Sequence, residues 1–189
     1  GYADLLSRLT VDGRQRFYLD NMKTSSEHLL KLVTDLLDFH RLDLHKAEIN
    51  RVTFHPARLL EEIYVSFEPL TSAKGLSLKC EIDPELKGTF ISDPLRLRQI
   101  VNNLLSNAVK YTQEGGEIQF FVEECETKSS VYAKYRFLVS DNGMGMSADF
   151  KDTIFDAFTR AESSITNKIQ GTGLGMAMIF FGLWPVIGM

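Results

Sequence analysis

The sequence predicts an α+β protein, a mixed sheet covered by helices on one face and preceded by a helical hairpin with one short arm. Three observations carry this. From Arg14 to about Leu44 apolar residues recur at helical spacing; after His45 helical and strand patterns alternate; and two long segments, Glu117 to Glu124 and Val131 to Ser140, follow each other with period-two alternation. Adjacent long strands among helices imply a sheet with its helices on one side. The change of pattern divides the chain into a helical unit, residues 1–45, and an α/β unit, residues 46–189.

The first long helix is opened by Asp12 with Gln15 three residues later, a variant of the capping box. Met22, Leu29 and Leu36 form one heptad series and Ser25, Leu32 and Phe39 the other, a seam that calls for a partner helix. Leu30, Val33 and Leu37 widen the stripe toward a bundle; a single amphipathic helix packed on a sheet is the alternative. The short GYADLLS before the TVDG turn reads as the last turns of an antiparallel mate. A short strand near Glu48 to Phe54 follows, then a helix from Pro56 to about Ala73 and strands near Leu76 to Ile82 and Thr89 to Ile91. Asp93 and Pro94 are the N-cap and N1 residues of a second helix, which Gly115-Gly116 end. In the first long strand Ile118, Phe120 and Val122 share a face; in the second Ala133, Tyr135, Phe137 and Val139 do, and that strand runs into SDNGMGM.

At 189 residues the chain has room for one domain with a real core plus an accessory element. Hydrophobic content of 44% and charged content of 24% belong to a soluble globular protein. A net charge of −4 without a basic run excludes a general nucleic-acid binder. Cys80 and Cys125 lie far apart without His or Cys at metal-ligand spacing, so buried thiols in a reducing compartment are expected. Gly1 opens on no targeting signal, and the chain reads as a fragment of something longer. Leu174 to Met189 is uncharged, yet it is shorter than the ~20 residues of a spanning helix and broken by Gly182 and Pro185. A buried helix is expected there.

Chemistry concentrates in DPLRLRQIVNNLLSNAVKYT. At about 100° per residue Leu97, Val101, Leu104, Leu105 and Ala108 share one face, and Gln99, Asn103, Asn107 and Lys110 a narrow arc on another. Asn carbonyls are hard oxygen ligands suited to Mg²⁺, which takes a few protein oxygens plus substrate phosphates, and Lys110 can meet the phosphate charge. A solvated helix face is the competing reading. Asp141 ends an apolar strand, where a carboxylate can accept from an exocyclic amine, and Gly143 and Gly145 let backbone approach a flat ring. Here an ordinary Asp-Asn-Gly turn competes. Phe155 and Phe158 are expected in the core, TRAESSITNKIQ has loop composition, and QGTGLGMAM places Gly171, Gly173 and Gly175 at a helix start. So near the C-terminus there is no room for the βαβ unit and acidic residue of a dinucleotide fingerprint. Amide helix, Asp-Gly turn, polar loop and glycine turn, in that order, form a nucleotide site with a mobile cover.

RQIVNNLLSNAVKYT resembles the N box, DNGMGM the G1 box, IFDAF the F box and GTGLGM the G2 box of the sensor histidine kinases, whose ATP-binding domain has the Bergerat fold. LLKLVTDLLDFHRLD resembles the second helix of their dimerisation and phosphotransfer hairpin, and TNKIQGTGLGMAM is similar to bacterial hybrid-type kinases. The resemblance covers Gly1 to about Met178. It implies ATP and Mg²⁺, with Asn107 as principal metal ligand, Asn103 and Lys110 assisting at metal and phosphates, and Asp141 reading the adenine amine. It further implies Gly143 and Gly145 at the base, Tyr111 beside the adenine, and Gly171, Thr172, Gly173, Leu174, Gly175 and Met176 as the hinge of the ATP lid, with N–H groups near the phosphates. Tyr111 has a second reading, a half-buried tyrosine at a helix end.

The family's phosphoacceptor is a His followed by an acidic residue in the first hairpin helix. His28, His40, His45 and His55 lie elsewhere, so no acceptor is expected in this chain. IFFGLWPVIGM stands where the family has an amphipathic helix and two further strands, so the sheet is expected to lack its last strands and keep an open edge. A homodimer through the hairpin, a response regulator receiver domain as partner, a cytoplasmic location, and no nucleic acid or membrane contact from these residues complete the expectation. Two alternatives stand beside transfer to histidine. A non-catalytic nucleotide-sensing dimerisation module is one; a hydrolase of the gyrase or MutL kind is the other, but it needs a Glu where Asn103 stands, and an amide cannot take a proton.

Overall fold

The computed structural model describes residues 12–43, 49–84, 86, 88–128, 133–157, 159 and 173–176. Along them run helix α1 (Gly13–Asp43), strand β1 (Val52–Phe54), helix α2 (Pro56–Ala73), strands β2 (Ser77–Ile82) and β3 (Phe90–Ser92), helix α3 (Pro94–Tyr111), strands β4 (Glu117–Cys125) and β5 (Lys134–Asp141), and the short helix α4 (Ala148–Thr153). The GYADLLS arm, His45, Phe158, Gly171, Thr172, the polar loop before them and the tail after Met176 lie outside the described residues, as do the side chains of His28 and Phe39.

The predicted capping box opens α1: the Gln15 N–H donates to Asp12 Oδ1 at 2.8 Å, and the Asp12 N–H to Gln15 Oε1 at 3.4 Å. Met22, Leu29, Leu32 and Leu36 are exposed, and so are Leu30, Val33 and Leu37. The stripe is therefore not laid on the sheet.

Strands β2, β4 and β5 form a mixed sheet in that order. β2 runs parallel to β4 from Ser77↔Glu117 to Ile82↔Val122, and β4 antiparallel to β5 from Ile118↔Asp141 to Cys125↔Lys134. β1 and β3 pair separately, antiparallel, from Val52↔Ser92 to Phe54↔Phe90. On one face of the larger sheet Ile118, Phe120 and Val122 are fully covered by Leu59, Leu60, Ile63 and Phe67 of α2 and Val101, Leu105 and Ala108 of α3. Burying each such large side chain contributes about 1.5–3 kcal/mol, so this contact holds α3 against β4, whose Ile118 stands opposite Asp141 of β5. Tyr135, Phe137 and Val139 pack against the same core from β5, while Lys79, Gln119 and Leu138 face outward.

Several sequence expectations shift. β1 is limited to Val52–Phe54, β3 lies one residue later than expected, and β5 begins at Lys134 because pairing with β4 stops at Cys125. α3 ends at Tyr111, before the two glycines; Thr112 closes it with its N–H and its Oγ1 (2.7 Å) both donating to Ala108 O. Leu104 is only partly buried, whereas Ile100 is 7% exposed. Ile100 projects toward the Asn107 side of the helix. Cys80 and Cys125 are free but half-buried. Cys80 points inward from β2, an edge strand of the three-stranded sheet, and Cys125 closes β4, so neither is fully enclosed. Burial, and after it Glu61 and Glu81, pushes the Cys80 thiol up to about 11. Phe155, expected in the core, is 43% exposed just beyond the short α4.

Candidate nucleotide-binding site

The site begins with how α3 is fixed. Asp93 caps it: Oδ1 accepts from the N–H groups of Leu95 (3.0 Å) and Arg96 (3.1 Å), while Oδ2 accepts from Asn50 N–H at 3.0 Å. One buried carboxylate thus ties the helix start to the segment entering β1 and complements the helix dipole. At the other end Lys74, just after α2, donates from Nζ to Val109 O (2.6 Å) and Lys110 O (3.1 Å). A cation on terminal carbonyls is favourable for the same electrostatic reason. Nothing in local periodicity marks Lys74 for this; its signal is a lysine closing the preceding helix.

Between these anchors Gln99, Asn103, Asn107 and Lys110 are all half-buried. Gln99 Oε1 accepts from Arg96 Nη1 at 2.9 Å. Lys110 Nζ lies 4.9 Å from the Tyr111 ring centroid, a cation–π contact that places the charge at the helix end.

Asp141 is the last residue of β5, opposite Ile118. Its Oδ1 accepts from Gly143 N–H at 3.0 Å, an Asx turn, and Met144 N–H donates to Tyr111 O at 3.3 Å. A Cβ on Gly143 would stand 2.5 Å from Tyr111 O and 2.8 Å from Asp141 Oδ1, so the glycine is required by close approach to the end of α3. Gly145 has φ +67° and open space around its Cβ position. An open pocket of about 310 Å³ is bounded by Gln113 to Gly116 and Asn142 to Met144; Asn103, Asn107 and Lys110 do not line it.

The glycine turn comes to the other end of the amide stripe. Gly173 has φ +72°, Leu174 is 1% exposed, and Gly175 and Met176 are half-buried and helical. Gly175 O accepts from Asn103 Nδ2 at 3.4 Å. Leu174 and Ile100 are both buried yet stand outside the main core cluster. Asn103 is thus brought to Gly175, and Tyr111 to Gly143 and Met144; Asn107 lies one turn from each of Asn103 and Lys110. Among the described residues no group of three or more His, Cys, Asp or Glu is placed to hold a metal.

Residues 92–180 match the family model of histidine kinase-, DNA gyrase B-, and HSP90-like ATPases, and residues 1–45 that of the His Kinase A (phospho-acceptor) domain. The chain is 33% identical over 178 residues to the sensor protein GacS of Pseudomonas syringae pv. syringae, and 32% identical over 178 residues to the signal transduction histidine-protein kinase BarA of Escherichia coli (strain K12). Each match covers 94% of this chain and 19% of the relative, so the chain spans about a fifth of the curated relatives it matches. The crystal structure of full-length ShkA in complex with AMPPNP is similar with a TM-score of 0.77 at 30% identity, over 96% of this chain and 36% of that one. The mixed α/β architecture is thereby that of histidine kinase structures. Two models matched in tandem, with sensor kinases as relatives, lead to one conclusion: the chain belongs to the sensor histidine kinase family.

Proposed function

We propose that this chain is the ATP-binding catalytic region of a two-component sensor kinase, with residues 1–45 as part of its dimerisation hairpin and residues 46–189 as its ATP-binding domain. It passes the γ-phosphoryl group of ATP to a histidine, and from there to a receiver domain. The observation that carries this is convergence: Asn103 and Gly175, 72 residues apart, meet at one end of the α3 face, and Tyr111 meets the Asp141 turn at the other. That AMPPNP is held by ShkA supports the choice of nucleotide.

In this reading the adenine amine donates to Asp141, whose Oδ1 already accepts from Gly143 N–H, which leaves Oδ2 to accept from the base. Guanine presents a carbonyl there, and two acceptors would meet. Lys110 and the N–H groups of Gly173, Leu174, Gly175 and Met176 face the phosphates, and by sequence alone Gly171 and Thr172 belong to the same proposed set. The donor set fits Mg²⁺: Asn107 and Asn103 offer neutral hard oxygens one helical turn apart, and Asn103 already commits its nitrogen to Gly175 O. When bound, the ion offsets phosphate charge. An imidazole nitrogen then attacks the γ-phosphorus, the bond to the β–γ bridging oxygen breaks, and ADP leaves. With an amide at Asn103, α3 supplies no base there to activate water, which favours transfer over hydrolysis.

The exposed stripe of α1 supports a homodimer, and a reaction that consumes ATP and hands phosphate to a receiver domain supports a cytoplasmic site for the activity. Calorimetry with Mg-ATP and Mg-GTP tests the base-reading half. ATP is expected to bind more tightly, and Asp141→Asn to weaken ATP while the fold persists; equal affinity for both nucleotides in the unaltered chain counts against the assignment.

A further inference from the structure

Asn142 follows Asp141, and its side chain does something unusual for a ladder residue. The β4–β5 register ends at Ile118↔Asp141, and one step further Glu117 and Asn142 are the next residues on the two chains. Asn142 N–H donates to Glu117 O at 3.2 Å, as in a hydrogen-bonded antiparallel pair. The reciprocal bond should run from Glu117 N–H to the main-chain carbonyl of Asn142. Instead Glu117 N–H donates to Asn142 Oδ1 at 2.8 Å. The side-chain carbonyl replaces the main-chain one, which satisfies the β4 amide while the chain leaves the sheet immediately after Asp141.

Two glycines make room for this. A Cβ on Gly116 would lie 2.9 Å from Asn142 Oδ1 and 2.3 Å from Thr112 Cγ2, and one on Gly143 would collide with Tyr111 O. The turn is therefore fixed from both sides by consecutive side chains: Asp141 Oδ1 holds Gly143, and Asn142 Oδ1 holds Glu117.

We propose that Asn142 is a positioning residue for base recognition: by standing in for its own carbonyl in the ladder it fixes where the chain departs, and so aims the Asp141 carboxylate at the 6-amino group of adenine. This deepens the reading above and rests on it. Asn142 acts through Asp141 and touches no reacting atom.

The test compares ATP with purine riboside triphosphate, which lacks the 6-amino group, by calorimetry with Mg²⁺ on the whole chain. The unaltered chain prefers ATP. Asn142→Ala lowers the ATP preference by about two- to tenfold, the size of one neutral hydrogen bond, with affinity for the purine analogue kept. Asn142→Asp, which keeps an acceptor for Glu117, restores part of the preference. Amide exchange at Glu117 rises in the Ala variant and is protected again in the Asp variant. An unaltered chain that binds both nucleotides equally removes the base-reading role of Asp141 and the proposal with it. A chain that discriminates as well with Ala at this position as with Asn, or that loses both nucleotides equally, overturns the role of Asn142 alone. Unchanged exchange at Glu117 in the Ala variant also overturns it.

Discussion

Gly143→Ala is the substitution whose consequence follows most directly from the coordinates. The added Cβ would meet Tyr111 O at 2.5 Å and Asp141 Oδ1 at 2.8 Å, and the first of these is backbone. A comfortable carbon–oxygen contact is about 3.3 Å, so the turn must retreat from α3 by about 0.8 Å. It cannot do so alone, because Met144 N–H is bonded to Tyr111 O and Asp141 Oδ1 to Gly143 N–H. Overpacking of this size costs about 1–3 kcal/mol of stability. Displacing a recognition group by nearly 1 Å can cost up to ~100-fold at a positioned site, and a loss of about 10- to 100-fold in ATP affinity is expected. Gly88→Ala is the control. Its φ of +129° strains any other residue although its Cβ would meet nothing, so it should destabilise by about 1–3 kcal/mol and leave ATP affinity alone. Urea unfolding measures the first quantity and calorimetry with Mg-AMPPNP the second. Gly143→Ala binding nucleotide like the unaltered chain, or both variants losing affinity in proportion to stability, refutes the reasoning.

Asn107→Asp should abolish phosphoryl transfer by altering the metal–phosphate geometry, measured as label reaching a separate histidine hairpin, and Asn103→Glu should not create a good ATPase, because a base without a positioned water does little, measured as multiple-turnover phosphate release. Rapid turnover by the unaltered chain would favour the hydrolase alternative. The Cys80 thiol is raised from 9.0 to about 11, so in the folded state it stays protonated where the unfolded chain ionises. Its contribution is complete below pH 9.0 and is lost as pH climbs to about 11; Tyr135, raised from 10.0 to about 12 by burial and then by Glu124, extends the decline. Urea midpoints should therefore fall through that window, and less steeply in Cys80→Ser at its lower end. Replacing Leu29 and Leu36 of the exposed α1 stripe with Asp should shift sedimentation toward monomer, since each buried Leu contributes about 1.5–3 kcal/mol; a monodisperse monomer of the unaltered chain contradicts pairing through this seam.

What could be read in advance was local or periodic. The Asp12–Gln15 box, the Asp93-Pro94 helix start and the inward row Ile118, Phe120 and Val122 each depend on residues close in sequence, and each is found as expected. Boundaries set by partners were not legible: β5 begins where β4 can pair with it, and the half-burial of Cys80 follows from its strand lying at a sheet edge. The pattern alone points Gly143 to a flat ring, and it does not reveal the close approach to Tyr111 O and Asp141, which only the tertiary packing supplies. Both readings of the Asp-Asn-Gly turn meet there, because the Asx turn shapes the segment proposed to hold the base. Asn142 and Lys74 were missed because their partners, Glu117 and the end of α3, are 25 and 35–36 residues away.

The central claim is that the face of α3, the Asp141 turn and the glycine turn together deliver a phosphoryl group to histidine. It is tested most directly by incubating this chain with Mg-ATP labelled at the γ-phosphate and a separate helical hairpin bearing a histidine followed by an acidic residue. The expected product is an acid-labile, base-stable phosphohistidine on the hairpin, absent with Asn107→Asp and much reduced with Asp141→Asn. ATP bound normally with no label reaching the hairpin, even at hairpin concentrations that saturate binding, would contradict the catalytic account and leave a nucleotide-sensing module.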